Sequence, residues 1–201
     1  DAALALAMCR YILENDLYDA TFLQNPNSTA AATDGESCYS DSTLLVRADT
    51  GKFLTGNDLD GGGSTDYVVW SGGTTVLSAV ATTGDLAVDA QQVTLAGGST
   101  VAVSSVFQLF YDRVMEHSMN WYSDVCEVSV DTIEEIALGF ASAGKTSSLD
   151  LYRGPSQHTN GVYNTLAIMA LCHLVGNYDH KGGMSKGGSY WHDSTGLYDL
   201  S

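Results

Sequence analysis

The chain has 201 residues and is 44% hydrophobic, enough to bury a core as one large or two small domains. Its eight Lys and Arg residues stand against 24 Asp and Glu residues, for a formal net charge of -16. Because phosphate binding needs a basic surface, this balance argues against nucleic acid as a partner. A lysine-poor, acidic surface instead indicates a salt-adapted source, and we expect such a protein to lose stability in dilute buffer.

The N-terminal part is predicted to be helical. Residues 2–14 are Ala-rich, with Leu4, Met8, Tyr11 and Ile12 on one apolar face, and a second short helical turn follows at residues 18–23. The polar, small-residue stretch 26–42 is typical of a loop.

From residue 43 the hydrophobic period changes to two. Glycine-containing turns separate short β-prone runs, which predicts a small subdomain of antiparallel strands. The runs are residues 43–48, 52–55, 66–70, 75–80, 87–88, 92–95 and 100–103. Residues 58–61 resemble part of a calcium loop, but the other ligands of such a loop are missing, so we interpret them as a turn.

Helical periodicity returns at residues 106–116 and 120–126. A further helix is predicted to begin at Ser129 or Asp131, either of which suits a helix N-cap, and to end at Gly144. Four apolar residues are predicted to face inward from this helix: Ile133, Ile136, Ala137 and Phe140.

Next come a predicted strand, a polar turn and another helix. The strand covers residues 148–152, the Arg153-Gly154-Pro155 sequence breaks it, and the helix begins near Val162 and ends at residues 176–177. This order aims backbone N–H groups and a positive helix dipole at the turn, which predicts an anion site there.

The four cysteines are far apart and include no Cys-x-x-Cys pair, which argues against a zinc or cluster site. We expect Cys9 and Cys172, on apolar helical faces, to be buried free thiols, while a Cys38–Cys126 bridge stays open. No apolar run approaches membrane-spanning length. Four histidines lack metal-ligand spacing and are predicted to be structural or solvent-exposed: His117, His173, His180 and His192.

The turn and the helix after it resemble the cofactor-binding segment of the molybdopterin oxidoreductases that carry bis(molybdopterin guanine dinucleotide). The similarity rests on residues 153–161, the helix end at residues 174–177 and the Lys181-Gly182-Gly183 turn. Residues 1–23 and 101–137 add to it, whereas residues 30–95 match weakly. Within the superfamily the chain is most similar to the tetrathionate reductases, with arsenate, thiosulfate and polysulfide reductases as near relatives.

The resemblance implies ten cofactor-binding residues in this stretch and no catalytic residue or metal ligand. They are Arg153, Gly154, Ser156, Gln157, His158, Thr159, Asn160, Lys181, Gly182 and Gly183. Other roles stay open: a surface ion pair for Arg153, helix capping for Thr159 and Asn160, and capping or an inert surface position for His158. The glycine-rich run 181–188, with Lys181 and Lys186, is either a phosphate-contacting loop or a flexible loop.

The resemblance also implies that the chain is an internal fragment of a large catalytic subunit, inactive by itself. The implied fold is α/β (α+β): residues 1–30 leave a preceding domain, residues 31–104 form an antiparallel β-rich insertion, and residues 105–201 carry the cofactor turn. The parent enzyme is expected to use molybdenum or tungsten, with a [4Fe-4S] cluster elsewhere in its chain, and to reduce tetrathionate or a related sulfur or arsenic oxyanion in anaerobic respiration.

The implied partners are a membrane anchor subunit together with an iron–sulfur electron-transfer subunit, on the extracytoplasmic, periplasmic side of the membrane. An alternative of another class is a non-catalytic extracellular acidic β-module for adhesion or glycan binding, favoured by the Thr- and Gly-rich β segment. An ordinary nucleotide-binding domain is weakly supported, because the chain has no Gly-x-Gly-x-x-Gly or Walker-type loop.

Overall fold

The computed structural model describes residues 1–61, 64–151 and 153–184. Helices and small antiparallel sheets make up this part of the chain, which confirms the predicted mixed α/β (α+β) class. Predictions for residues 185–201, including Lys186 and His192, lie outside the described residues. The proposed domain limits at residues 30 and 104 stay predictions.

Helix α1 (Ala2–Glu14) is the centre of the helical core, and its bounds are those predicted from the sequence. It packs against α5 (Val106–Met115), α6 (Met119–Cys126), α7 (Val130–Ala143) and α9 (Gly161–Leu174). The helix can be surrounded in this way because small alanines alternate with larger apolar residues, which leaves room for close neighbours. Six of its residues are buried: Ala5, Ala7, Met8, Cys9, Ile12 and Leu13.

Serine caps define where α5, α6 and α7 begin. The Oγ atoms of Ser105, Ser118 and Ser129 each accept a hydrogen bond from the backbone N–H three residues later. Each cap satisfies an N–H that has no partner within the helix. Of the two N-caps that the sequence allowed for α7, the structure therefore has Ser129.

Helix α7 ends at Gly144 as predicted, and a 3-10 turn, Gly144–Thr146, follows it. Ile133 and Ala137 are fully buried, but Ile136 is 45% exposed, so its predicted inward position is wrong. At 100° per residue Ile136 points away from the line through Ile133 and Ala137, which lies in the core cluster with residues of α1.

The strands form a three-stranded sheet and a hairpin. In the sheet, β5 (Thr100–Ser105) lies between β1 (Leu45–Arg47) and β4 (Gln91–Thr94), and both pairings are antiparallel. The hairpin joins β2 (Val68–Ser71) to β3 (Thr74–Leu77). A second core lies between them and contains seven buried residues: Leu45, Leu54, Val68, Val88, Val93, Val101 and Val103.

Short helices replace parts of two predicted irregular segments. Besides α2 (Ala20–Leu23), which was predicted, α3 (Ser28–Thr33) lies in the predicted loop. It forms because the Asn27 side chain accepts from two N–H groups of its first turn. Similarly, α4 (Gly56–Asp60) occupies the predicted turn at residues 58–61, and a reciprocal capping box between Thr55 and Asp58 begins it.

The strand predicted at residues 148–152 is wrong for the described residues 148–151, which have no regular structure. Among the described strands none pairs with these residues, and the N–H of Leu149 instead donates to Sδ of Met184 over 3.3 Å. The chain then enters the short helix α8 (Arg153–Ser156). The strand predicted at residues 87–88 is likewise absent from this described stretch.

All four cysteines lie in the described part of the chain, and all four are free. Cys9 and Cys172 are buried as predicted, and the Cys38–Cys126 bridge left open by the sequence is not formed. Burial strongly raises the pKa of the Cys9 thiol, so it stays protonated and unreactive at neutral pH.

Candidate functional site

The predicted cofactor turn connects α8 to α9 and is held in place by local hydrogen bonds. The Oγ of Ser156 donates to the Arg153 carbonyl over 3.3 Å, and Nδ2 of Asn164 donates to the Pro155 carbonyl over 3.1 Å. A Cβ on Gly161 would lie 2.0 Å from the carbonyl oxygen of Ser156. Only glycine therefore fits where the turn meets α9.

The polar residues of this turn face solvent at the N-terminus of a 14-residue helix. Five consecutive side chains are exposed: Ser156, Gln157, His158, Thr159 and Asn160. Asn160 occupies the N-cap position without a side-chain capping bond, and the first turn of α9 has no acidic residue. Backbone N–H groups and the positive end of the dipole are thus accessible from solvent, and the anion site at this turn stays a prediction.

The second predicted group, Lys181, Gly182 and Gly183, lies beyond the other end of α9. A helix of 14 residues is about 21 Å long, so the turn and this group cannot contact the same atoms of a ligand. They can contact a ligand only if it is long enough to reach both ends of the helix.

Gly183 fits tightly against the chain's own backbone. A Cβ there would lie 2.2 Å from the carbonyl oxygen of Asn177 and 2.4 Å from that of Lys145. The N–H of Gly183 donates to the His180 carbonyl over 2.9 Å, and the N–H of Met184 donates to the Asn177 carbonyl over 2.9 Å. These contacts fold the loop back onto the end of α9.

Asn177 anchors this loop and has one unused hydrogen-bonding atom. The residue is completely buried, and its Nδ2 donates to the carbonyl of Ser147 over 3.0 Å and to Oγ of the same residue over 3.3 Å. Its Oδ1 has no donor among the described residues. A buried acceptor without a donor is costly, so this atom is suited to a donor from another molecule or segment.

An ion-paired lysine supports the same end of α9. Nζ of Lys145 lies 3.2 Å from Oδ2 of Asp19 and also pairs with Oε1 of Glu36. Partial burial acts to lower the pKa of Lys145, but the hydrogen bonds to the two carboxylates outweigh it and raise that pKa. Asp19 in turn caps α2 through the N–H of Phe22, and its own N–H donates to the Leu174 carbonyl.

A cavity of about 490 Å³ lies between α5, α9 and residues 38–42. Its walls are mainly apolar, and they include five aromatic side chains: Phe22, Tyr39, Phe107, Phe110 and Tyr178. Sequence reasoning missed this cavity because residues 38–42 read as an ordinary polar loop and contact α9 only in the folded chain.

His173 forms the polar end of the cavity. Its Nε2 lies 2.8 Å from Oγ of Ser40, 3.4 Å from Oγ of Ser42 and 3.7 Å from Oδ1 of Asp41. Burial lowers the pKa of His173, and the Asp41 carboxylate acts in the opposite direction. The ring therefore has the structural role predicted for it, linking α9 to the 38–42 segment.

No family model matches the chain. It is 36% identical over 200 residues to the selenate reductase A subunit of Mesobacillus selenatarsenatis, which is 95% of this chain and 18% of that protein. It is 31% identical to the tetrathionate reductase A subunit of Archaeoglobus fulgidus and 33% identical to that of Salmonella typhimurium, over 98% and 94% of this chain. The chain is related to these reductase A subunits.

These matches confirm the resemblance to the molybdopterin oxidoreductases that the sequence indicated. The chain spans less than a fifth of the length of the curated relatives it matches: 18%, 17% and 19%. Among its described residues, no helix is long and apolar enough to cross a membrane. The same residues contain no group of three His, Cys, Asp or Glu side chains that could hold a metal ion.

Proposed function

We propose that this chain is part of the catalytic subunit of a molybdenum or tungsten bis-pterin oxidoreductase and contacts one guanine dinucleotide arm of the cofactor. The observation that carries the proposal is the uncapped N-terminus of α9 with five exposed polar side chains in front of it. The similarity to selenate and tetrathionate reductase A subunits supports the general kind of enzyme.

The residues present suit such a ligand. The N–H of Gly161 already donates to the His158 carbonyl, so the donors for a pyrophosphate are the next N–H groups in the first turn of α9 and the Arg153 guanidinium. The side-chain amides of Gln157 and Asn160 can both donate and accept, as a guanine or pterin edge requires. Ser156, His158 and Thr159 add further polar groups, and Gly154, with open space around it, lets a ligand approach the backbone.

At the other end of α9, the Lys181 ammonium offers a positive charge to a phosphate group. Gly182, at a φ of 91°, and Gly183 shape the loop beside the unused Oδ1 of Asn177. A dinucleotide is elongated, which suits two groups of residues separated by the length of a helix. When bound, the cofactor supplies the redox chemistry, and the role of these residues is to bind and orient it.

The substrate we propose for the parent enzyme is a small oxyanion, with tetrathionate or a related sulfur or arsenic oxyanion as the first candidate. Selenate is a further candidate, because a relative that is 36% identical to this chain is named as a selenate reductase A subunit.

We further propose that the parent protein works with a membrane anchor subunit plus an iron–sulfur subunit, on the extracytoplasmic side of the membrane, with a [4Fe-4S] cluster elsewhere in its own chain. The relatives are named as A subunits, which supports a multi-subunit enzyme. Co-purification of the tagged full-length protein with two smaller subunits from solubilised membranes is the expected result. Recovery of the full-length protein alone would contradict these partners.

The experiment that tests the proposed function is cofactor analysis of the full-length protein purified from its source. We expect molybdenum or tungsten by mass spectrometry, and about two pterins per chain by fluorescence after acid oxidation. Reduction of tetrathionate and of selenate, each with a reduced dye as electron donor, then identifies the substrate. Absence of both metal and pterin would overturn the proposal and leave the acidic β-module as the hypothesis to test.

A further inference from the structure

Helix α9 differs from the other long helices in its charge. Its 14 residues contain no Asp, Glu, Lys or Arg, although the chain has 24 acidic and eight basic residues. Helix α7 has the same length and also packs against α1, yet it contains Asp131, Glu134 and Glu135. A helix without a charged face is typical of one surrounded by protein on all sides.

Only one side of α9 is covered by the described residues. Ala167, Leu171 and Leu174 are buried on that side, toward the core around α1. On the other side, Val162 and Leu166 remain 71% and 58% exposed. These two aliphatic side chains lie one helical turn apart and are both exposed. Together they form an apolar stripe of the kind found at interfaces.

The stripe continues into the cavity. Leu166 lines the cavity together with Met169 and Ala170 of the same helix, and Phe107 and Phe110 of α5 form the facing wall. Among the polar groups of the lining, Nε2 of His173 already bonds to the hydroxyl of Ser40. Because that polar group is satisfied within the chain, a side chain entering the cavity needs apolar surface rather than hydrogen-bonding groups.

We propose that the stripe and the cavity are covered, in the complete protein, by an apolar segment of the same longer polypeptide, which inserts an aliphatic or aromatic side chain between α5 and α9. The chain spans less than a fifth of the length of its relatives, so a protein of their size has ample further polypeptide for this contact. A permanent intramolecular contact also explains why α9 has no charged residue on its outer side.

The test measures thiol accessibility in the purified full-length protein without its partner subunits. Leu166→Cys is compared with Leu138→Cys, which replaces a 46% exposed leucine in the middle of α7. Labelling by a maleimide is followed at each position by peptide mass spectrometry. We expect Leu166→Cys to react at least about tenfold more slowly than Leu138→Cys in the native protein, and equally fast in urea, because a covered thiol reacts only after local opening.

Equal native labelling rates would overturn the proposal. Protection of Leu166→Cys that appears only when partner subunits are bound would also overturn it, by assigning the face to another protein. Oxidation of the native methionines by hydrogen peroxide gives the same comparison without a substitution. Met169 in the cavity is expected to oxidise much more slowly than Met119 of α6 in the native protein, and as fast in urea. Equal native oxidation rates would contradict the proposal even if Leu166→Cys failed to fold.

Discussion

Nζ of Lys145 lies 3.2 Å from Oδ2 of Asp19, in an ion pair where both side chains are less than a quarter exposed. Glu36, 10% exposed, shares the same ammonium. Lys145→Met leaves two partly buried carboxylates without their cation, and we expect a loss of about 1–3 kcal/mol of stability, below the cost of breaking a fully buried pair. Thermal unfolding measures it, with the exposed Lys52→Met as control. Equal effects of the two substitutions would contradict this account.

The backbone approach at Gly183 predicts a steric effect. In Gly183→Ala the new Cβ would lie 2.2 Å and 2.4 Å from two carbonyl oxygens, so the loop must move. We expect this movement to cost about 1–3 kcal/mol of stability. Gly139→Ala in α7 is the matched control, since nothing lies within 4 Å of its Cβ and alanine is favoured in a helix by about 1 kcal/mol. In urea unfolding, Gly183→Ala should lower the midpoint and Gly139→Ala should raise it. A Gly183→Ala midpoint at or above that of the wild type would be evidence against this packing of the loop.

The cofactor turn predicts a loss of binding without a loss of folding. We expect Gln157→Ala combined with Asn160→Ala to lower the molybdenum or tungsten and pterin content of the full-length enzyme. Both side chains are exposed, so the unfolding midpoint of the cofactor-free protein should change little. Gln91→Ala, an exposed change in β4, is the control for cofactor content. Wild-type metal content in the double variant would contradict the assignment of Gln157 and Asn160 to cofactor binding.

The partly buried ring of His173 predicts a pH dependence of stability. Burial lowers its pKa in the folded protein below the ordinary 6.5, so the unfolded chain binds more protons once the pH falls through 6.5. The contribution of His173 to the free energy of unfolding is therefore fully present above pH 6.5. It is lost as the solution is acidified toward the lowered pKa. The groups facing the ring are the Asp41 carboxylate and the hydroxyls of Ser40 and Ser42.

The variant for this test is His173→Gln, whose amide can still bond to Ser40. Urea midpoints measured from pH 7.5 to pH 5 should fall less in the variant than in the wild type, while the two curves run parallel above pH 7. Identical acid slopes in both proteins would show that another group controls the loss.

The charge balance predicts a response to salt. At a net charge of -16 the carboxylates repel one another more than the few ion pairs attract, and salt screens this repulsion. The melting temperature should therefore rise between about 0.05 M and about 1 M KCl. The same melting temperature in both buffers would contradict the interpretation of a salt-adapted surface.

Local patterns predicted the elements that are stabilised locally. The bounds of α1 and the end of α7 at Gly144 follow from apolar periodicity and from a glycine that suits a helix end. The strand predicted at residues 148–152 failed because a strand depends on a neighbour that periodicity cannot reveal. The cavity was missed for the same reason: Ser40 and His173 are 133 residues apart in sequence, and only tertiary packing brings them together.

The central position of α1 has a consequence for synthesis on the ribosome. About 150 residues separate its last residue, Glu14, from Gly161, where its neighbour α9 begins. At roughly 5–20 residues per second the nascent helix waits on the order of 10 s for that neighbour, with the side that packs against α9 uncovered. A chain whose translation stalls in the β strands thus exposes apolar residues of α1, and the polar turn in front of α9 is made at the very end of this waiting period.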